Sequence, residues 1–332
     1  MINRRQLKLN ARKNLAGKYG DALGVVVLAT LIAASLSVVF SLLSSVLFPM
    51  SRFTYFDGYF DQTGGLIDTQ KALENALSII SNISQQILLV AVGVILIMSL
   101  TPLFKILVGN VIAVGRERWF IRAAHSGESP RISLMISLFK GGEYKQTVLG
   151  MLWQSFWLFL WSIPPVLVLL FGFLPQQLLI FKAWSGKMAI TEGLKLRVAR
   201  EFGLPSFLFG WQMVPIVLVV FFIFLIVQIR KRYSYRLVSY VLADNPALGA
   251  RRALNLSKEM TRGKIGGLFL LDLSFIGWIL LCMMCICLPW ITLHLLAPYY
   301  RMTWAEAYKA VRDQAVARGV IRMEDLGYVR VA

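Results

Sequence analysis

Apolar residues in this chain come in long blocks separated by short charged passages. Residues 22–48, 86–114, 147–174, 206–229 and 265–300 are dominated by Leu, Ile, Val, Phe, Trp and Ala. A helix crosses a bilayer with about 20 consecutive apolar residues, and a helix satisfies its own backbone polar groups in lipid. The first four blocks each supply one crossing. The fifth is long enough for two short helices, 265–284 and 286–300, turning near Cys285–Pro289. The expected fold is therefore an all-α integral membrane protein with about six transmembrane helices in a single membrane domain.

The passages between the blocks have a different pattern. On a helical wheel of ~100° per residue, residues 246–262 place Arg251, Arg252, Asn255, Lys258, Glu259 and Arg262 in one arc. Ala250, Ala253, Leu254, Leu256, Ser257 and Met260 fill the other, with only Leu248 misplaced. Asp244, Asn245 and Pro246 predict the start of this helix, with Asn as cap, Pro at the first position and an acid at the positive end of the dipole. Gly263 predicts its end. Residues 1–20 follow the same plan, with Asn3 and Gln6 as a capping box, Leu7, Ala11 and Leu15 on one face, and Gly17 before the first block. Glu128-Ser129-Pro130, the face Leu134, Met135, Leu138 and Phe139, and Gly141-Gly142 repeat it again. The chain thus reads as three helix-hairpin-like pseudo-repeats running parallel: cytoplasmic amphipathic helix, glycine, helix out, helix back. Thr303 and Glu306 predict a capping box for one more cytoplasmic helix, ending near Gly319.

Charge orients these elements. Residues 1–20 carry six cations and no acid, whereas 49–85 hold Arg52 and Lys71 against four acids. Residues 115–146 are basic again, 230–264 set nine cations against two acids, and the tail 301–332 sets six against four. By the positive-inside rule, 1–20, 115–146, 230–264 and 301–332 lie in the cytoplasm, with both termini, and 49–85 lies outside. The insert 175–205 carries five cations and still falls outside or re-entrant, because inverting it would invert the more basic 230–264. The expected location is the plasma (inner) membrane. The first block is also too long for the ~7–15-residue core of a cleavable signal.

Composition agrees. The 332 residues are 57% hydrophobic and 16% charged, against about 25% charged in soluble domains. The net charge of +18 lies in cations that flank apolar blocks, which excludes nucleic acid as the expected partner and points to anionic membrane lipids, or to a protein partner at the cytoplasmic face. The cations in question are Arg230, Lys231, Arg232, Arg251, Arg252, Lys258 and Arg262.

Candidate chemistry is sparse. There is no Gly-rich phosphate loop, His-Glu-x-x-His or nucleophile elbow, and only His125 and His294 are available as imidazoles. Cys282 and Cys285 fall near one helix face, and with His294 they are the one metal or redox candidate, short of a fourth ligand. Lys105 and Asp272 are charges inside apolar blocks, which is by default a functional signal.

Several motifs, taken together, resemble a known family. They are Gly115 with Trp119-Phe120; Gly127-Glu128-Ser129-Pro130; Tyr233-Ser234-Tyr235; Tyr240-Val241-Leu242-Ala243-Asp244-Asn245-Pro246; Leu273-Ser274-Phe275-Ile276-Gly277-Trp278; and Pro298-Tyr299 before Ala307-Tyr308. In this order they resemble the bacterial multi-pass membrane family catalogued as domain of unknown function number 975. The resemblance covers most of the chain and departs at about 166–212, where Ile163-Pro164-Pro165 is followed by an insert. It implies a plasma-membrane protein of about six helices and no particular activity.

The expected function is a non-catalytic membrane component that binds lipid or a partner, without a cofactor. The alternative is a small-solute transporter or channel using Lys105 and Asp272.

Overall fold

A computed structural model describes residues 3–47, 92, 93, 95, 96, 99–140, 142–186, 189–284 and 289–328. The predicted loop 49–85, most of 86–98, and Cys285 and Cys287 lie outside the described residues. Among the described residues the chain is helical, with no strand. Its α-helices are α1 (Arg4–Leu15), α2 (Tyr19–Leu47), α3 (Asn110–His125), α4 (Glu143–Ser185), α5 (Glu192–Glu201), α6 (Met213–Tyr235), α7 (Val238–Asp244), α8 (Ala250–Thr261), α9 (Ile265–Met284) and α10 (Pro289–Ala317).

Five spans are long and apolar enough to cross a membrane: Tyr19–Leu36, Ser99–His125, Glu143–Ser185, Met213–Asp244 and Ile265–Met284. Their middles are apolar outward, the inverse of a water-soluble core. Phe159, Leu170 and Phe171 of α4 and Ile226 of α6 are exposed. The main core gathers instead where the long helices meet the short ones. Trp119, Phe120, Leu242, Met260, Leu271, Trp304 and Tyr308 are buried there.

Helices run past several predicted boundaries. Crossing 147–174 and the insert at 175 do not separate: α4 is one helix of 43 residues with Pro164, Pro165 and Pro175 inside it. Each proline deletes one backbone hydrogen bond, but in an apolar helix the remaining ladder is the only local source of satisfaction. The rest of the insert folds back as α5. Leu194 and Val198 are buried against Leu179 and Ala183 of α4, while Ile190 is exposed. Arg230, Lys231 and Arg232 belong to the end of α6 rather than to a separate loop. The described part of the 286–300 block, from Pro289, and the tail helix are likewise one element, α10, so Thr303 and Glu306 sit mid-helix. Thr303 Oγ1 donates to Tyr299 O and Glu306 accepts from Asn14, so they form no capping box.

The predicted helix 246–262 is also revised. Asn245 does cap, accepting from the Ala247 N–H, but it caps only the short 3-10 turn Pro246–Leu248. Gly249, at φ 76°, breaks the chain before α8 begins. In α8, Ala253, Leu254, Leu256, Ser257 and Met260 are buried in the protein, and Arg251, Arg252, Asn255, Glu259 and Arg262 are exposed.

Two of the predicted glycine stops share one geometry. Ala16 (φ −58°, ψ 124°) and Gly17 (φ 76°) join α1 to α2, and Arg262 (φ −58°, ψ 123°) and Gly263 (φ 77°) join α8 to α9. In each case the lysine that follows donates its N–H back, Lys18 to Leu15 O and Lys264 to Thr261 O, both at 2.9 Å. These are type II turns, whose third residue needs a positive φ. Gly142 before α4 has φ 79°. A Cβ at Gly17 or Gly263 would touch nothing within 4 Å, so backbone strain alone decides a substitution. Gly17→Ala and Gly263→Ala are each expected to cost about 1–2 kcal/mol, read as a lower melting point in detergent.

Candidate functional site

The charged groups that the sequence places inside apolar blocks do not come together. Lys105 opens a π-helical turn, Lys105–Gly109, and is exposed on the outside of the bundle. Asp272, on α9, faces inward and gathers four donors. Its Oδ2 accepts from Tyr233 Oη at 2.6 Å and Arg236 Nη1 at 2.5 Å, and its Oδ1 from Trp304 Nε1 at 2.8 Å and Tyr300 Oη at 3.0 Å. Arg236 also donates to Tyr300 Oη and lies 3.6 Å from the Trp304 ring centre. A carboxylate with both oxygens engaged this way holds α6, α9 and α10 in register, and its planar partner is a guanidinium because only that group can bond and stack at once.

Asp272 forms part of the wall of a chamber of about 630 Å³. Glu117 of α3, 2% exposed, lines the same chamber. Glu117 Oε1 accepts from Arg116 and Arg301, both at 2.9 Å. Its Oε2 makes no hydrogen bond of normal geometry, although the Tyr240 hydroxyl is close enough to interact with it. Gln154 of α4 donates its Nε2 to Tyr235 O at 3.0 Å, which leaves its buried Oε1 without a donor. Arg232 completes the wall from the exposed side. The chamber therefore presents three guanidiniums, of Arg232, Arg236 and Arg301, and two buried acceptors.

Sequence reasoning counts Glu117 only as one of the acids in the basic passage 115–146. The missed signal is its face: Ile121 and Ala124, four and seven residues on, are buried with it, so the wheel places a carboxylate on the core side of α3.

Asp244 is not an acid placed for a helix dipole. It ends α7 with its side chain buried, accepting from Tyr308 Oη at 2.6 Å and Tyr328 Oη at 3.1 Å, with Arg312 at 3.7 Å. Asn245 Nδ2 donates to Asp325 O. The motif latches the C-terminal segment onto the core.

The surface cations are distributed over indoles and acids. Lys231 lies 4.4 Å from the Trp161 ring, Arg251 5.7 Å from Trp153 and Lys258 5.8 Å from Trp157, three indoles one turn apart on α4. Arg252 is 3.7 Å from Asp325, and Arg230, Arg232 and Arg262 are exposed. Of the metal candidates, Cys282 Sγ contacts Thr292 O and His294 Nδ1 is 2.7 Å from Trp290 O. Among the described residues no group of three His, Cys, Asp or Glu could hold a metal, and Cys285 lies outside them.

Comparison with curated proteins and with solved structures gives no match. A family model described as "Protein of unknown function (DUF975)" matches residues 1–315. That match takes in the chamber and Asp244, and by it the chain belongs to the DUF975 family of proteins of unknown function.

Proposed function

We propose that this protein is a non-catalytic, multi-pass plasma-membrane component whose cytoplasmic face binds anionic lipid. In this reading the chain makes about six crossings in three parallel hairpin-like units, with both termini in the cytoplasm. The first part of α10 supplies the sixth crossing, and the recurring positive-φ glycines at Gly17, Gly142 and Gly263 mark where each unit turns into the membrane. The observation that carries the lipid reading is the division of α8. Its apolar arc is consumed by the protein core, while Arg251, Arg252 and Arg262 stay exposed. Cations held there by a rigid scaffold meet headgroups without inserting.

Each such cation contributes about 1 kcal/mol at an anionic surface before screening by salt. Replacing all three with Gln is therefore expected to lower the anionic-lipid enrichment around the extracted protein by about tenfold, allowing for screening. Lipid composition of protein-containing nanodiscs measures this, and an unchanged composition overturns the reading. A protein partner at the same face would use the same cations.

A small-solute transporter or channel is the second reading, and the chamber beside Asp272 is the observation that favours it. Against it stand the four donors that occupy Asp272 and the position of Lys105 away from the chamber. Solute flux into reconstituted vesicles separates the two readings.

A further inference from the structure

The chamber continues beyond its polar wall. Ile229 and Tyr233 of α6 and Phe269 of α9 line both the chamber and an apolar groove of about 540 Å³ between these helices. Ile226, Ile265 and Gly266 extend the groove along α6 and α9, and Arg230 stands at its edge. A polar cavity joined to an apolar groove, in helices that otherwise face lipid, has the form of a site for an amphiphile.

The polar wall narrows the chemistry. Asp272 is saturated by its four donors, so it offers nothing to a ligand. Arg232 and Arg301 remain to meet an anion, and guanidinium matches phosphate oxygens in shape and charge. Glu117 Oε2 and Gln154 Oε1 are buried acceptors without a hydrogen bond of normal geometry. The Gln154 orientation is settled by its Nε2 bond to a carbonyl, because the flipped amide would set two acceptors face to face. Buried acceptors are nearly always satisfied, so Gln154 Oε1 calls for a donor, while the Glu117 carboxylate, beside Arg116, Arg301 and the Tyr240 hydroxyl, keeps one further lone pair to offer. An ammonium there would approach Arg116 and Arg301, which already flank Glu117. A neutral hydroxyl meets no such repulsion.

We propose that the chamber and groove together hold one phospholipid of the phosphatidylglycerol type. Its phosphodiester lies against Arg232 and Arg301, its headgroup hydroxyls donate to Glu117 and Gln154, and an acyl chain follows the groove between α6 and α9. This rests on the membrane reading above and adds to it a single site with headgroup selectivity.

The test uses the full chain purified in detergent. Phosphatidylglycerol, phosphatidic acid and phosphatidylethanolamine are supplied together, and the lipid retained per chain after a high-salt wash is measured by mass spectrometry. One phosphatidylglycerol per chain is expected, preferred about tenfold over the other two, as for a site whose polar groups are left unpaired by the wrong headgroup. Gln154→Leu is expected to abolish that preference while leaving phosphatidic acid retention unchanged. Gly266→Leu adds a side chain where a Cβ meets nothing within 4 Å, so the fold is kept while the groove is filled. Retention of every lipid should fall, and binding of soluble glycerophosphoglycerol should not. Equal retention of phosphatidylglycerol and phosphatidic acid overturns the headgroup assignment, and unchanged retention in Gly266→Leu overturns the groove. Retention of no lipid in high salt overturns the site altogether. If the surface enrichment that depends on Arg251, Arg252 and Arg262 survives in that case, the proposed function stands without it.

Discussion

Gly115→Ala is expected to dislodge the 3-10 helix Ile132–Phe139 from α3 and to lower the melting point more than Gly17→Ala or Gly263→Ala. A Cβ at Gly115 would lie 1.9 Å from Met135 O, 2.8 Å from its carbonyl carbon and 3.2 Å from its Cα. These are backbone atoms, so no rotamer change relieves the clash, and the 3-10 helix must move as a body. Moving it exposes Met135 and Leu138, now buried. It also strains the anchor from Trp119 Nε1 to Pro130 O, 2.9 Å long. Overpacking usually costs about 1–3 kcal/mol, and a backbone clash belongs at the upper end. At 2–4 °C per kcal/mol for larger domains, that is a drop of about 6–12 °C. Gly127→Ala is the control, because its Cβ meets nothing within 4 Å and its φ is not positive. Equal melting of the two variants would show that Met135 does not pack on Gly115.

The second large effect is expected at Asp244. Asp244→Ala removes the acceptor of Tyr308 and Tyr328 and the buried partner of Arg312. Breaking a buried ion pair from one side costs about 3–5 kcal/mol. The value here falls toward the low end, because Arg312 keeps Asp313 at 3.0 Å. The segment from Gly319 to Tyr328 should become open to limited proteolysis, since Leu326 loses the clamp that Asp244 and Asn245 hold around it. Protection equal to wild type would mean that hydrophobic contact alone retains the segment. The pair of tyrosines adds a titration readout. Burial first, and the Asp244 carboxylate second, push Tyr308 well above the ordinary phenol range and Tyr328 up to about 12. An unfolded tyrosine ionises near pH ~10, so the stability these phenols contribute is complete below that pH. It is lost as pH rises toward about 12. Phenolate absorbance during alkaline titration of Asp244→Ala should move toward the ordinary range, by the share that the carboxylate contributes.

The residues differ in how much of this they disclose in sequence. Long apolar blocks are legible because bilayer-length helices need no tertiary partner to be recognised. Gly17 and Gly263 are legible because a type II turn has a local requirement that glycine meets. Element ends are less so. Pro164 and Pro165 look like a break, yet α4 continues through them, and Thr303 with Glu306 looks like a cap, yet α10 is already about four turns old there. The chamber is not legible, because Glu117 meets Arg301 across 184 residues and Arg236 meets Asp272 across 36. Asp244 shows the same limit. Its local context suits a dipole acid, and only partners 64 and 84 residues away reveal a latch.

The position of α10 sets the order in which the molecule can be completed. α1 has its apolar face, Leu7, Ala11 and Leu15, buried in the shared core, and its polar groups reach α9 and α10 through Lys8, Arg12 and Asn14. Lys18 and Lys309, from opposite ends of the chain, both donate to the last carbonyls of α3, where the helix dipole is negative. At ~5–20 residues per second, α1 leaves the ribosome about 15–60 s before α10 does. Throughout that interval it is a basic helix with an unsatisfied apolar side, and such a helix rests at a lipid headgroup layer. On the proposed topology, maturation of this protein amounts to lifting α1 off the bilayer when residue 300 and its successors arrive. A nascent chain stalled short of that point would be inserted but left open at both ends.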